Sequence, residues 1–279
     1  MGRKIRNLFN DSLYNIENSY TYYLNKLIEL ACSNFKWNNL PTTISERYLE
    51  NTLFYMGKAV YFNDPNIGNL ALKVKYDSRL NVYDDPIRFT AYGNNGYNYP
   101  LTIENGVIMY NNYTRTTGLQ EVQYYAQKLA HIDIIINVNV NAQKTPVLLL
   151  CSENEKLTVE QLYQKYDGSQ PYIFGNKGLS VQELKVLKTD APFNADKLYA
   201  LKQLYWKEAL TSIGVYAQET KKERLTEEEV YVNANETAAT RNSRLRARQE
   251  ACQKINDMFG LNISVECGGY NESEVLKNE

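Results

Sequence analysis

The chain has 279 residues, 43% hydrophobic and 23% charged, with Lys plus Arg 31 against Asp plus Glu 32 and a net charge of −1. That length and apolar share allow one large or two modest folded domains and exclude global disorder. The balanced charge excludes a protein that grips nucleic acid over its whole surface. With 24 tyrosines and one histidine, His131, the composition favours amphipathic contact surfaces over acid–base catalysis.

The sequence opens Met1-Gly2-Arg3-Lys4-Ile5-Arg6 and moves into a polar amphipathic stretch, without the apolar core of a secretory signal, which predicts a cytoplasmic chain. The longest apolar runs, 132–140 and 147–151, are too short for a bilayer, so no membrane partner is expected. Cys32, Cys151, Cys252 and Cys267 are widely spaced with no C-x-x-C pair, which predicts reduced structural thiols rather than disulfides or zinc.

Leu13, Ile16, Tyr20, Tyr23, Leu24, Leu27, Ala31 and Phe35 recur at steps of three and four and predict a long amphipathic helix ending before Asn38. Thr43 followed by Glu46 reads as a capping box for a helix over 45–56, stopped by Gly57. From Lys58 to Asn112 the period becomes two. Strands are predicted at 59–62, 70–76, 87–92 and 106–110, separated by Asn63-Asp64-Pro65, Asp84-Asp85-Pro86 and Asn94-Asn95-Gly96 turns.

Helical spacing returns over 119–141 until Pro146 forbids it, with His131 expected as a packed core residue. A compact block follows, with strands at 147–151 and 171–174 around a short helix at 158–166. The next helix, 194–213, should turn Leu198, Leu201, Leu204, Tyr205, Leu210 and Ile213 inward and end at Gly214. Segment 218–240 is polar and charge-dense and reads as a mobile loop. A basic helix over 241–259, a strand-like 261–265 and an acidic tail complete the chain.

Few residues suggest chemistry. There is no G-x-x-x-x-G-K-[ST] loop, and Gly175 and Gly178 lack the strand–loop–helix setting of a phosphate cradle, so no nucleotide or other cofactor is expected. Glu227, Glu228 and Glu229 are consecutive, cannot converge on one helical face, and read as a solvated turn. Arg241, Arg244, Arg246 and Arg248 form the strongest basic run, read either as a face toward DNA or as an intersubunit salt-bridge face.

Two long helices bracketing a small α/β block resemble the stem and clip of phage portal proteins. Ordered stretches sharpen the likeness: 35–41, 139–148, Lys188-Thr189-Asp190-Ala191-Pro192 with Asp196-Lys197-Leu198, Lys221-Lys222-Glu223-Arg224, and 250–256 leading to Gly260-Leu261-Asn262. They are similar to matching stretches in the upper collar (portal, head–tail connector) proteins of picovirus-type short-tailed bacteriophages, over about residues 20–265.

The resemblance implies an α+β subunit with long stem helices, a β-rich wing insert and a small α/β clip, assembling into a ring. Its parts would be 1–118, N-terminal helices and wing; 119–143, first stem helix; 144–193, clip; 194–216, second stem helix; 217–240, channel loop; and 241–279, C-terminal helix and tail. It implies a ring of twelve at one capsid vertex, with double-stranded DNA passing through during packaging and ejection. Partners would be the capsid protein, a lower collar or tail protein and a separate packaging ATPase. The location would be the virion's head–tail vertex, reached from the host cytoplasm during assembly. Lys188 and Lys197 match the family's two channel lysine rings, and Glu219, Lys221, Lys222, Glu223 and Arg224 fall where the family has channel loops. Arg3, Lys4 and Arg6 match a basic tip that in some members helps bind a packaging RNA. Two other readings stand beside this one: a metal-dependent nucleic-acid-processing enzyme using Glu227–Glu229, and another ring-forming tail or lower collar component.

Overall fold

The computed structural model describes residues 2–142, 147–149, 184–186, 192–216 and 227–268. The predicted helix at 158–166, the strand at 171–174, Lys188 and the segment 219–224 lie outside them. The chain divides into two compact units, Met1–His131 with Lys202–Glu279, and Ile132–Leu201.

In the first unit, helix α1 (Gly2–Cys32) precedes a short strand β1 (Phe35–Asn38), then helix α2 (Glu46–Met56). Phe35 was expected to continue the first helix; it opens β1 instead, pairing antiparallel with a strand from the far end of the chain. The cap of α2 also shifts. Ser45, not Thr43, is the N-cap and accepts from the Tyr48 N–H, while the Thr43 hydroxyl donates to the Asn69 carbonyl. Gly57 ends α2 as expected, at φ 72, a left-handed conformation that glycine adopts without Cβ strain.

Five strands follow: β2 (Lys58–Asp64), β3 (Gly68–Tyr76), β4 (Arg88–Tyr92), β5 (Asn98–Thr102) and β6 (Gly106–Tyr110), antiparallel, in the order β5-β4-β3-β2-β6. Four match the period-two runs. β5 escaped the sequence reading because Pro100 interrupts it, and a proline without an N–H is tolerated here on an outer strand. The sheet cannot be flat. Its outer strands would lie four spacings apart, about 19 Å, yet Thr102 and Gly106 are joined by four Cα steps, which reach at most about 14 Å. The sheet therefore curls into an open barrel, and a Cβ on Gly106 would meet the Phe89 ring at 3.1 Å and Leu101 at 3.3 Å.

β2 is buried on both faces. Val60 and Phe62 join Val74, Phe89, Ala91 and Leu101 inside the barrel. Ala59 and Tyr61 point the other way, to a core shared with α2, β1 and the C-terminal elements. Helix α3 (Leu119–Ala142), as predicted, and helix α4 (Ala195–Ser212) contribute Val122, Ala126, Leu129, Ala209 and Leu210 to a third core, with Tyr23 and Leu27 of α1.

Helix α5 (Glu227–Phe259) corrects two expectations. Residues 227–240 are helical rather than loop, and Glu227–Glu229 form its first turn rather than a solvated turn. The scarcity of large apolar residues suggested a loop. The stretch nevertheless has no Gly or Pro, and carboxylates favour a helix N-terminus. Strand β9 (Ser264–Cys267) then pairs with β1, Phe35 opposite Cys267 and Trp37 opposite Val265. Two side-chain directions also differ. His131 is exposed rather than packed, and Leu204 faces out while Ala209, Leu210 and Ile213 are buried. Both helices are apolar on more than one side, so periodicity left the inward face ambiguous.

The second unit holds the end of α3, the start of α4, and strands β7 (Val147–Leu149) and β8 (Leu184–Val186), paired antiparallel. Asn139 ties its helices together: its amide donates to the Pro192 carbonyl at 3.0 Å and its oxygen accepts from the Asn194 N–H at 3.1 Å. Among the described residues no helix is long and apolar enough to cross a membrane.

Candidate nucleic-acid interface

The basic run on α5 resolves into four different environments. Arg244 and Arg248, four residues apart, share the helix face that carries Ala251, Cys252 and Ile255, and so both turn into the core. Arg248 is 0% exposed. Its Nε and Nη2 donate to the two oxygens of Glu50 at 2.9 and 2.7 Å, a forked pairing that fixes both side chains. Its Nη1 donates to the main-chain carbonyls of Asn111, at 2.8 Å, and Arg244, at 3.0 Å. Glu50 also accepts from the Trp37 indole N–H at 2.8 Å, and the Phe35 ring lies 4.2 Å from the Arg248 guanidinium carbon.

Arg244 is 6% exposed and donates to the Ile213 carbonyl at 2.9 Å and the Asn111 side-chain oxygen at 3.4 Å. Burial, helped by the neighbouring Arg248 charge, lowers its pKa to about 10. Arg241 lies over the Tyr216 ring at 4.7 Å, and Arg246 forms an exposed ion pair with Glu250 at 2.9 Å. Arg244 and Arg248, being buried, belong to neither a face toward DNA nor an intersubunit salt-bridge face. They form an intrachain clamp in which α5 holds one carbonyl just beyond β6 (Asn111) and another just beyond α4 (Ile213). A cavity of about 360 Å³ beside it is lined by Phe54, Asn111, Glu121, Ile213, Ser243 and Arg244 among others.

Cys32, whose thiol burial pushes up to about 11, and Cys252, pushed up to about 12, are free thiols. Values that high leave Cys32 and Cys252 un-ionised near neutrality and suit structural roles. Cys151 lies outside the described residues. Among the described residues no three His, Cys, Asp or Glu side chains converge as metal ligands.

Of the residues expected to meet nucleic acid, Lys197 sits exposed in the first turn of α4. Arg3, Lys4 and Arg6 fall in the first two turns of α1. Lys188, Glu219, Lys221, Lys222, Glu223 and Arg224 lie outside the described residues. The Glu50–Arg248–Asn111 clamp was missed by sequence reasoning. The signal available for it was the spacing of Arg244 and Arg248 with Cys252 and Ile255, which places two cations on an apolar stripe.

The family model described as Phage Connector (GP10) matches residues 6–269. Among solved structures, the fold is similar to a chain of the portal and tail of native bacteriophage P68, at 16% identity, a TM-score of 0.55, and coverage of 98% of this chain and 93% of that one. A second match is an HK97 family phage portal protein from Corynebacterium diphtheriae, at 8% identity, a TM-score of 0.48, and coverage of 93% of this chain and 94% of that one. With a connector family model spanning nearly all its length and the mixed helix-and-sheet fold of a portal subunit, the chain belongs to the phage connector family.

Proposed function

We propose that copies of this chain close into a portal ring at the head–tail vertex of a phage particle and conduct its double-stranded DNA. The observation that carries the reading is the connector family match over residues 6–269. The resemblance supports twelve copies, with contacts to capsid protein and to a lower collar or tail protein, a separate packaging ATPase as motor, and assembly in the host cytoplasm. The division into wing, stem helices, clip and channel loop belongs to the same proposal, as does a structural rather than enzymatic role.

DNA carries about one charge per 1.7 Å of axis, so a densely cationic wall would hold it fast, whereas isolated lysines repeated by rotational symmetry make sparse rings. The exposed Lys197 suits such a ring, with Lys188 as a second. Glu219, Lys221, Lys222, Glu223 and Arg224 would touch the duplex transiently through their mixed charge, and Arg3, Lys4 and Arg6 are where a packaging RNA would bind.

Lys188→Ala with Lys197→Ala is expected to leave the ring's mass unchanged while altering DNA passage. Deleting 219–224 is expected to give normal rings but particles that lose packaged DNA, measured as DNA per filled head. Full DNA retention by those particles would remove the segment from the mechanism, and misfolding of either lysine variant would make that lysine structural.

A further inference from the structure

Residues 132–142 of α3 carry one charged side chain, Asp133, among Ile132, Ile134, Ile135, Ile136, Val138 and Val140. Asp133, Asn137 and Asn141 recur at steps of four and mark one polar side, yet away from that stripe Ile135 and Val138 are 37% and 62% exposed, with Val140 at 46%. On the start of α4, Tyr199 is 55% exposed. The stretch offers no lysine or arginine to a polyanion, so nucleic acid does not suit it as the occupant. Exposed aliphatic groups with so little charge on their own stretch have the composition of a protein–protein interface core.

The hydrogen bonds of Asn139 fix where these groups stand. Asn139 points across to Asn194, so the C-terminal end of α3 lies beside the N-terminal end of α4, and the two run away from that end in opposite senses. At about 100° per residue, Ile135 and Val138 lie about 40° and 100° to one side of Asn139. Tyr199 lies about 100° on from the half-buried Leu198. Because the helices are antiparallel, that turn carries Tyr199 to the opposite side of the pair from Ile135 and Val138. Their levels coincide. Ile135 is four residues back from Asn139, about 6 Å, and Tyr199 is five on from Asn194, about 7.5 Å.

We infer that these are the two halves of one head-to-tail contact between copies of this chain, with Ile135 and Val138 of one copy packing on Tyr199 of the next. Rings of more than two members need two different surfaces on each subunit, each complementary to the other. One aliphatic and one aromatic patch, on opposite sides of a helix pair and at one level, meet that requirement. The inference rests on the ring reading above and assigns its contact residues.

The test uses the full chain and reads particle mass in solution, with helix content by circular dichroism as the folding control. Ile135→Asp alone and Tyr199→Lys alone are each expected to convert rings to folded monomers. Ile135→Asp combined with Tyr199→Lys in one chain is expected to recover rings, because each new carboxylate meets the new ammonium of its neighbour. Rings that survive both single substitutions would overturn the assignment of this surface, and loss in both without recovery in the combination would overturn the pairing. If the unsubstituted chain forms no ring, the proposed function fails instead, which separates the two claims.

Discussion

Replacing Glu50 with alanine is expected to cost about 3–5 kcal/mol of stability, a large part of what a domain of ordinary stability possesses. The substitution strands the Arg248 guanidinium, fully enclosed, with two main-chain carbonyls, the Asn111 side-chain oxygen and no countercharge, and it removes the acceptor of the Trp37 indole. A urea-unfolding midpoint measures the loss. Glu50→Met combined with Arg248→Met should fall much nearer the parent, because the penalty comes from an uncompensated buried charge rather than from any large net gain of the intact pair. A Glu50→Ala change within about 0.5 kcal/mol of the parent would mean that the arginine escapes to solvent and that the clamp does not hold the core together.

Gly214→Ala is the second large effect, at about 2–4 kcal/mol, summing strain at positive φ and overpacking. Gly214 has φ 77, and a Cβ there would stand 2.9 Å from the Arg241 Cα, a backbone atom of α5 that cannot swing aside. The methyl must push α5 from the end of α4, against the Arg244 bond to Ile213. Gly260 separates the two causes: its φ is 66 but a Cβ there would meet nothing within 4 Å. Gly260→Ala should therefore show the conformational part alone, about 1 kcal/mol, by the same unfolding measurement. Equal losses at the two glycines would remove the steric part of the argument.

These positions show what local sequence could and could not disclose. Four of the five barrel strands were legible because short apolar runs sit between turn clusters, and Gly57 and Gly214 marked helix ends by residue type alone. The β1–β9 pair was not legible, because the four-residue strand at Phe35 has its partner at Ser264–Cys267, near the far end of the chain, where no local pattern links them. The same holds for the clamp, whose members Trp37, Glu50, Asn111 and Arg248 come from four distant segments. Charge runs suggest surfaces, and Arg244 and Arg248 were assigned to one until their partners supplied enough hydrogen bonds to offset burial. His131 and Leu204 misled for the opposite reason: on helices with apolar residues on more than one side, the pattern does not say which side meets the chain's own core.

The central claim, that this connector-family chain forms a ring around a DNA-sized hole, is tested most directly by class-averaged electron micrographs of the purified full chain viewed end-on. A closed ring with twelve-fold repeats and a central opening wide enough for a B-form duplex is the predicted image. A solid particle, or a uniformly monomeric preparation across salt conditions, would contradict it.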